Sequence, residues 1–389
     1  MSDTTLDRVL AQCSAFIQNP DNNYMLEIFQ KKLSEYGKLP SSEQNALVLT
    51  HQNLMKTEVI PAYQELMTGL EALRGTGKNT RGLTYFKGGK AYYLYLLQSQ
   101  TGSYVPVKQM EKRLSGQLSD EIGIAGTILR QNPELLTTLS RGITFREIKP
   151  AQMLNALQQK IQTDFPPLTD VTFELRTVHD SMKEYLSPAF YLTPPADVNS
   201  PNSIYLNPAD EMTGIELYST LAHEGFPGHL YQTTYFLAQD PDPVRTILDF
   251  GGYVEGWATY TEMLSYYLAP VSKEVATIQQ KNASIILGLY ALADIGIHEK
   301  GWTKEDTLSF FSQYGIGDEK SISEIYQLIL GDPGNYAKYY FGYLEFLELK
   351  KAAIAKWGED FSQKRFHKFV LDIGPAPFDL LRDELKQTS

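Results

Sequence analysis

The sequence has little cysteine, no basic cluster and no apolar run long enough to cross a bilayer. Cys13 is the single cysteine among 389 residues, so an intramolecular disulfide is excluded, and with no motif around it Cys13 is predicted to be a small packed residue. The net charge is −11 and no stretch gathers lysine and arginine, so nucleic acid is not an expected partner. The longest apolar run, from Ala283, is interrupted and too short for a transmembrane helix.

The N-terminal residues also lack a basic segment followed by an apolar stretch, the pattern of a secretory signal. As it stands, the sequence predicts a cytoplasmic protein. Export or a lipid anchor is the alternative if a leader precedes these residues in the natural protein. The sequence gives no indication of the oligomeric state.

Hydrophobic residues make up 42% of the chain, enough for a large core. Apolar positions recur at three-to-four spacing over most of the sequence, as in Leu26, Phe29 and Leu33, which predicts helices. The composition changes near residue 166, where proline, asparagine and β-branched residues predict short strands. We therefore predict a mainly α fold with a small β element before residue 211 and a central cleft.

The predicted strands cover 172–178 and 203–206. The predicted helices, beyond a helical region over 5–75 and a tyrosine-rich helix in the segment from Arg81, cover 107–131, 147–162, 211–224, 229–239, 243–269, 272–299, 304–314, 320–330, 335–357 and 377–386. We expect a helical lobe over 1–165 and a second lobe over 166–389, closely packed, with a single domain as the alternative.

Residues 223–229 read HEGFPGH, which places His223 and His229 six positions apart. In many zinc enzymes two ligand histidines lie four positions apart on one helix, with a glutamate between them as general base. Residues six apart lie about 120° apart around a helix axis, so an unbroken helix cannot aim both imidazoles at one ion. Pro227 disfavours a continuous helix and the glycines on either side allow a break. The segment therefore predicts a helix that ends after Glu224 and resumes near His229, so that both imidazoles converge.

A third zinc ligand is predicted on the next helix. Glu255 follows His229 by 26 positions, enough for one helix out, a turn and a helix back. Glu262 lies seven positions later and so on the same helical face, where it could hold a ligand histidine by a hydrogen bond. A buried structural ion pair is the alternative for Glu262.

At these segments the sequence resembles the DUF885 family, bacterial proteins grouped around a His-Glu-Gly-x-Pro-Gly-His motif and related to zinc metallopeptidases of the thimet oligopeptidase and angiotensin-converting enzyme type. The resemblance also extends to Tyr253-Val254-Glu255-Gly256-Trp257-Ala258, Asp294-Ile295-Gly296-Ile297-His298, Pro333-Gly334 with Tyr339 and Gly342, and Phe366-His367. Tyr290 and Tyr340 depart from the arginine and lysine that the family has there, which affects the expected specificity. Family members are often longer at the N-terminus and often exported, so this chain could correspond to a C-terminal catalytic portion.

The resemblance implies a role for each matching residue. His223, His229 and Glu255 would bind zinc. Glu224 would be the general base that takes a proton from the attacking water and passes it to the leaving amine.

Tyr339 would donate a hydrogen bond to the oxyanion of the tetrahedral intermediate. His298 and His367 are further catalytic candidates, each with a structural role as the alternative. The expected function is that of a zinc-dependent metallopeptidase that hydrolyses short peptides, because a deep helical cleft excludes folded chains. The alternatives are a non-catalytic zinc protein that binds a peptide or other ligand, a hydrolase of a non-peptide amide or ester, and a helical scaffold without metal.

Overall fold

A computed structural model describes residues 2–77, 81–143, 148–168, 171–179, 182–184, 186–195, 201–208, 212 and 214–388. The chain divides into two compact units. The smaller consists of Met1–Thr80, Thr177–Ser187 and Asn207–Ala209, and the larger of Arg81–Arg176, Pro188–Leu206 and Asp210–Ser389. This division differs from the sequence-based boundary at 165/166. Helices after residue 81 belong to the larger unit because Leu97, Leu114 and Leu154 are buried in the same core as Trp257.

The smaller unit is built from helices, as predicted. Its α-helices are α1 (Asp3–Ile17), α2 (Tyr24–Tyr36), α3 (Ser41–Leu54) and α4 (Ile60–Glu71), with a π-helical turn at Met55–Val59 between the last two. The side chains of Ser2 and Asn23 accept backbone N–H groups at the starts of α1 and α2, which satisfies donors that a helix leaves free. Cys13 is a buried free cysteine, which confirms the prediction from its isolated position.

The larger unit combines helices with a three-stranded sheet. Its helices are α5 (Gly89–Thr101), α6 (Val107–Gln131), α7 (Leu135–Ser140), α8 (Pro150–Lys160), α9 (Gly214–Glu224), α10 (His229–Ala238), α11 (Gly251–Ser265), α12 (Lys273–Ile295), α13 (Lys304–Ser312), α14 (Glu319–Gly331), α15 (Asn335–Trp357), α16 (Gln363–Ile373) and α17 (Phe378–Gln387). Its strands are β1 (Phe173–Thr177), β2 (Ala189–Leu192) and β3 (Asn202–Leu206).

The mainly α prediction is confirmed, and the bounds of α6 and α15 match those expected. Several elements differ from the predictions. The single helix predicted over 243–269 is instead a short 3₁₀ turn at Pro243–Thr246 followed by α11. Helices α7 and α16 were not predicted, although α16 has Phe366, Val370 and Ile373 at helical spacing and buries Phe366 and Val370.

The sheet has the strand order β1-β3-β2, and β2 pairs antiparallel with β3, with Tyr191 opposite Ile204. The predicted strands at 172–178 and 203–206 are confirmed as β1 and β3. Strand β2, a short run in a proline-rich stretch, was missed. Ile204 of β3 is buried in the hydrophobic core, so the sheet is fixed to the helices behind it.

Helix α11 lies in the middle of the larger unit. Its residues are buried around most of the circumference, including Tyr253, Trp257 and Tyr260. It contacts α15 closely because glycines face each other: a Cβ on Gly256 would lie 2.5 Å from the carbonyl carbon of Gly342. Among the described residues, no helix is both long enough and apolar enough to cross a membrane.

Candidate metal centre

The HEGFPGH segment forms a break between two helices. Helix α9 ends at Glu224 and α10 begins at His229, which confirms the predicted ends, and the Phe226–Pro227 peptide bond is cis. Gly228 passes so close to α9 that a Cβ there would lie 1.8 Å from the carbonyl oxygen of His223. Only glycine fits at this position, and the chain can therefore turn back within four residues.

The break is also fixed from the neighbouring helix. The Trp257 indole N–H donates a hydrogen bond of 2.9 Å to the carbonyl oxygen of Pro227, and Trp257 is fully buried. A buried donor with a single acceptor holds that acceptor in place, since leaving either group unpaired would cost free energy. Trp257 therefore connects the break to α11, the helix that carries Glu255.

The two imidazoles converge on the Glu255 carboxylate. Oε2 of Glu255 lies 3.7 Å from Nε2 of His223 and 3.3 Å from Nε2 of His229, and the two imidazole centroids are 4.8 Å apart. Zinc–ligand bonds of roughly 2.0–2.2 Å in tetrahedral geometry separate ligand atoms by about 3.3–3.6 Å. The spacing of these three side chains thus suits a small metal ion held among them.

Glu255 provides a test of that fit. Its Oε2 is buried and has no hydrogen-bond partner among the described residues. Burial raises the pKa of Glu255, but the imidazoles of His223 and His229 outweigh this effect and hold the pKa below its usual range. A buried, ionised carboxylate oxygen without a donor is costly unless a cation neutralises it. The residues present therefore fit a metal ion.

His223 is oriented by a second carboxylate. Its Nδ1 lies 2.9 Å from Oε2 of Glu262, so the proton on Nδ1 leaves the Nε2 lone pair directed at Glu255. Burial lowers the pKa of His223, yet Glu255, Glu262 and Glu224 together raise it well above its usual value. The carboxylates thus favour a positive charge at this point, whether a proton or a metal ion carries it.

Glu224 is held by the edge of the sheet. The backbone N–H of Tyr191 in β2 donates a 2.7 Å hydrogen bond to Oε2 of Glu224. Glu224 also offers an oxygen within 4.8 Å of ligand atoms of both His223 and His229. Glu224 and Glu255 are therefore both candidates for the third metal ligand. Glu255 fits better, because its Oε2 lies close to both Nε2 atoms and lacks a donor, whereas Oε2 of Glu224 already accepts one.

Tyr339 lies beside the same cluster. Its ring centroid is 6.3 Å from that of His223, at an interplanar angle of 23°. Burial raises the pKa of Tyr339, and the charge of Glu255 and its contact with the phenol raise it further. The phenol therefore keeps its proton at neutral pH and remains a hydrogen-bond donor.

A cavity of about 360 Å³ opens beside Glu255. Among its lining residues are Glu255 and Val254 from α11, Gln100 from α5, and Lys338, which directly precedes Tyr339 on α15. Cavities that bind small molecules fall in roughly the 300–1,000 Å³ range. The candidate metal centre thus has an adjoining space for a ligand.

His298 and His367 do not join this cluster. The backbone N–H of Leu83 donates to Nδ1 of His298, whose Nε2 donates to the carbonyl oxygen of Ile329. Burial lowers the pKa of His298 to about 4 and the pKa of His367 to about 3.

His367 has equally complete contacts. Its Nδ1 donates to the carbonyl oxygen of Asp164 at 2.6 Å, and its Nε2 accepts from the hydroxyl of Tyr260 at 2.9 Å. Both ring nitrogens of each histidine are therefore occupied inside the protein. The expectation of catalytic roles for His298 and His367 does not fit these contacts, and the structural alternative does.

Two contributors to the site were not expected from the sequence. Tyr191 acts through its backbone N–H, which carries no sequence signal, and strand β2 itself was missed. Trp257 falls in a segment that the sequence singled out, but its indole contact depends on the position of Pro227 in the break.

The comparisons with known proteins concern the fold and the family. The fold is similar to that of a protein from Colwellia psychrerythraea, with a TM-score of 0.86 and 21% identity over 99% of this chain and 70% of that chain. A protein from Shewanella oneidensis is also similar, with a TM-score of 0.67 and 17% identity over 98% of this chain and 73% of that chain. Both are described as a "putative lipoprotein", and at these identities the likeness shows the fold alone.

No curated protein matches this sequence. A family of bacterial proteins does match it, over residues 1–385. The match spans almost the whole chain, from α1 to α17, and includes every residue of the cluster described above. The chain belongs to DUF885, a family of bacterial proteins of unknown function.

Proposed function

We propose that the protein is a zinc-dependent hydrolase, and specifically a metallopeptidase that acts on short peptides. The observation that carries the proposal is the convergence of His223 and His229 on Glu255, whose Oε2 is buried and has no donor among the residues that the structure describes. These three residues would hold the metal. Zinc, when bound, acts as a Lewis acid and lowers the pKa of water.

The residues around the metal ligands have separate roles in the proposed reaction. Glu224 takes the proton from the attacking water and delivers it to the leaving amine, since its carboxylate lies within reach of the same cluster. The Tyr191 N–H fixes Oε2 of Glu224, which leaves the second oxygen of that carboxylate for proton transfer. Tyr339 donates a hydrogen bond to the oxyanion, because its phenol stays protonated beside Glu255.

A peptide is favoured as the substrate by the position of the sheet. In the strand order β1-β3-β2, β2 is an edge strand, and the Tyr191 N–H is directed away from the sheet to Glu224. Among the described residues no strand pairs with this edge of β2, and the edge lies beside the proposed general base, which occupies the Tyr191 N–H and leaves the other main-chain groups of the edge for a ligand. An extended peptide can add to such an edge through main-chain hydrogen bonds, which an ester or a small amide cannot do.

The experiment is the conservative substitution Glu224→Gln. Hydrolysis of an equimolar mixture of short synthetic peptides, followed by mass spectrometry, should fall by about 10²–10⁴-fold, while the zinc content stays unchanged. Glu216→Gln, on the exposed side of the same helix, is the matched control and should retain full activity. An unchanged rate in Glu224→Gln contradicts the mechanism. Zinc binding without any hydrolysis by the wild type favours the binding-protein alternative.

We further propose that the protein works outside the cytoplasm. The support is that both solved structures of similar fold are described as a "putative lipoprotein". This favours the exported alternative over the cytoplasmic expectation. Fractionation of cells that produce the natural protein tests it, since recovery in the cytoplasmic fraction alone would contradict export.

A further inference from the structure

The cavity beside Glu255 contains a lysine that has no carboxylate partner among the described residues. Lys338 lies on α15, is partly buried and lines the cavity together with Ser99, Gln100 and Glu255. Within the described part of the chain it forms no ion pair within 4.0 Å. Its Nζ lies over the Tyr339 ring, 5.3 Å from the centroid, so the cation sits next to the proposed oxyanion donor.

Most other partly buried cations of the larger unit have carboxylate partners. Arg113 and Arg382 pair with Glu345, and Lys281 pairs with Glu121. Arg245 and Lys350 are instead held by backbone carbonyl oxygens and by the Tyr260 hydroxyl, so each of these structural cations has a polar partner inside the protein. In the part of the chain that the structure describes, the Lys338 side chain has no hydrogen-bond or ion-pair partner and lines the cavity, so its ammonium group is available to an anion from outside.

The other charged groups at the cavity leave room for that anion. Glu255 is engaged with the two histidines, and it is the residue that a metal ion would neutralise. Asp249 also lines the cavity but is exposed, so solvent screens its charge. Lys338 is then the charge that a bound ligand would meet inside the cavity.

We infer that Lys338 binds a carboxylate of the substrate, which makes the C-terminal end of a short peptide the preferred ligand. This inference rests on the proposed function, since it names the substrate class of the same site. A cavity of about 360 Å³ admits the end of a chain more readily than its middle. The free carboxylate at that end is a single anion that a lysine can hold while the preceding peptide bond lies near Tyr339.

The test compares peptides that differ only in this charge. N-acetylated tetrapeptides are prepared as an equimolar mixture, once with free C-terminal acids and once with C-terminal amides. Binding to zinc-loaded Glu224→Gln protein is measured by equilibrium dialysis, and hydrolysis by the wild type is measured separately. We expect the acids to bind about tenfold more tightly than the amides, as for one charge-assisted hydrogen bond.

Lys338→Met keeps the apolar stem and removes the charge. This variant should bind acids and amides with about equal affinity, and its affinity for amides should equal that of the protein with Lys338. Lys351→Met is the matched control, because Lys351 lies on the same helix but pairs with Glu348 at the surface, and the preference should persist there. Equal binding of acids and amides by the unsubstituted site, or an undiminished preference in Lys338→Met, overturns the inference.

A second pair of peptides identifies which carboxylate is bound. C-terminal amides that carry either glutamate or glutamine at the last position separate a side-chain carboxylate from the terminal one. Tight binding of the glutamate amide would overturn the assignment to the chain end. Hydrolysis without any preference for acids would contradict the role of Lys338 but leave the hydrolase proposal standing. Binding of acids that depends on Lys338, without any hydrolysis, would contradict the hydrolase proposal but support the role of Lys338.

Discussion

Two pairs of histidines in the larger unit differ in what their ring nitrogens contact. His223 and His229 direct Nε2 at one carboxylate oxygen of Glu255, at 3.7 and 3.3 Å, and by its geometry this oxygen has no hydrogen-bond donor among the described residues. His298 and His367 have both nitrogens occupied by backbone groups or by a tyrosine hydroxyl. His223 and His229 are also partly exposed, whereas His298 and His367 are fully buried.

The difference lies in whether the surroundings favour a positive charge. Carboxylates surround His223 and raise its pKa, whereas burial lowers the pKa values of His298 and His367 and keeps both imidazoles neutral. A neutral histidine with two satisfied nitrogens contributes packing and hydrogen bonds. A histidine whose lone pair faces an unsatisfied anion is prepared for a metal ion.

Among the tests of this difference between the two pairs of histidines, Glu262→Gln is expected to have the largest effect. The amide can still face Nδ1 of His223, but it lacks the charge that fixes the tautomer and raises the basicity of the ring. We expect zinc affinity to fall by about 10–100-fold, measured by competition with a chromophoric chelator. Glu274→Gln, in the first turn of α12, is the control and should bind zinc like the wild type. An unchanged affinity would mean that Glu262 is only a structural partner.

A smaller effect is expected on the pH dependence of stability, to which the neutral histidine His298 contributes. The pKa of His298 is about 4 in the folded protein against an ordinary value of 6.5, so below pH 6.5 the unfolded chain binds a proton that the folded chain does not. Stability contributed by neutral His298 is present above pH 6.5 and is lost as the pH falls towards 4, by about 2 kcal/mol at pH 5.

The measurement is urea unfolding with chelator present at pH 7.5 and at pH 5, followed by tryptophan fluorescence. The three tryptophans, Trp257, Trp302 and Trp357, all lie in the larger unit, so the signal reports on the unit that contains His298. His298→Gln should be less stable than the wild type at pH 7.5 but should lose about 2 kcal/mol less on acidification. An equal loss in both proteins would show that His298 is not held neutral.

The sequence predicted those parts of the fold that depend on local rules. Three-to-four spacing placed α6 and α15, and the Pro-Gly chemistry of residues 225–228 placed the ends of α9 and α10. Strand β2 was missed because it has only four residues and depends on pairing with β3, which no local pattern reports. Helix α16 was missed although its apolar residues stand at helical spacing, so its local pattern was sufficient to predict it.

For the candidate site, the sequence brought out His223 and His229 because the Pro-Gly break accounts for their spacing, and Glu255 and Glu262 because seven residues complete almost two helical turns. It could not separate His298 and His367 from the others, since each needs a partner distant in sequence, such as Leu83 or Asp164. Lys338 and the Tyr191 N–H were equally hidden, because their importance depends on a cavity and on a strand edge.

The most direct test of the central claim is the metal content of the protein, purified without chelators or a histidine tag and measured by mass spectrometry. The account predicts about one zinc per chain in the wild type, none in His223→Ala, and one in His51→Gln, which removes a histidine of the smaller unit that stacks on Phe29. If the wild type takes up no metal even after zinc is added, or if His223→Ala retains it, then the two histidines and Glu255 do not form a metal centre.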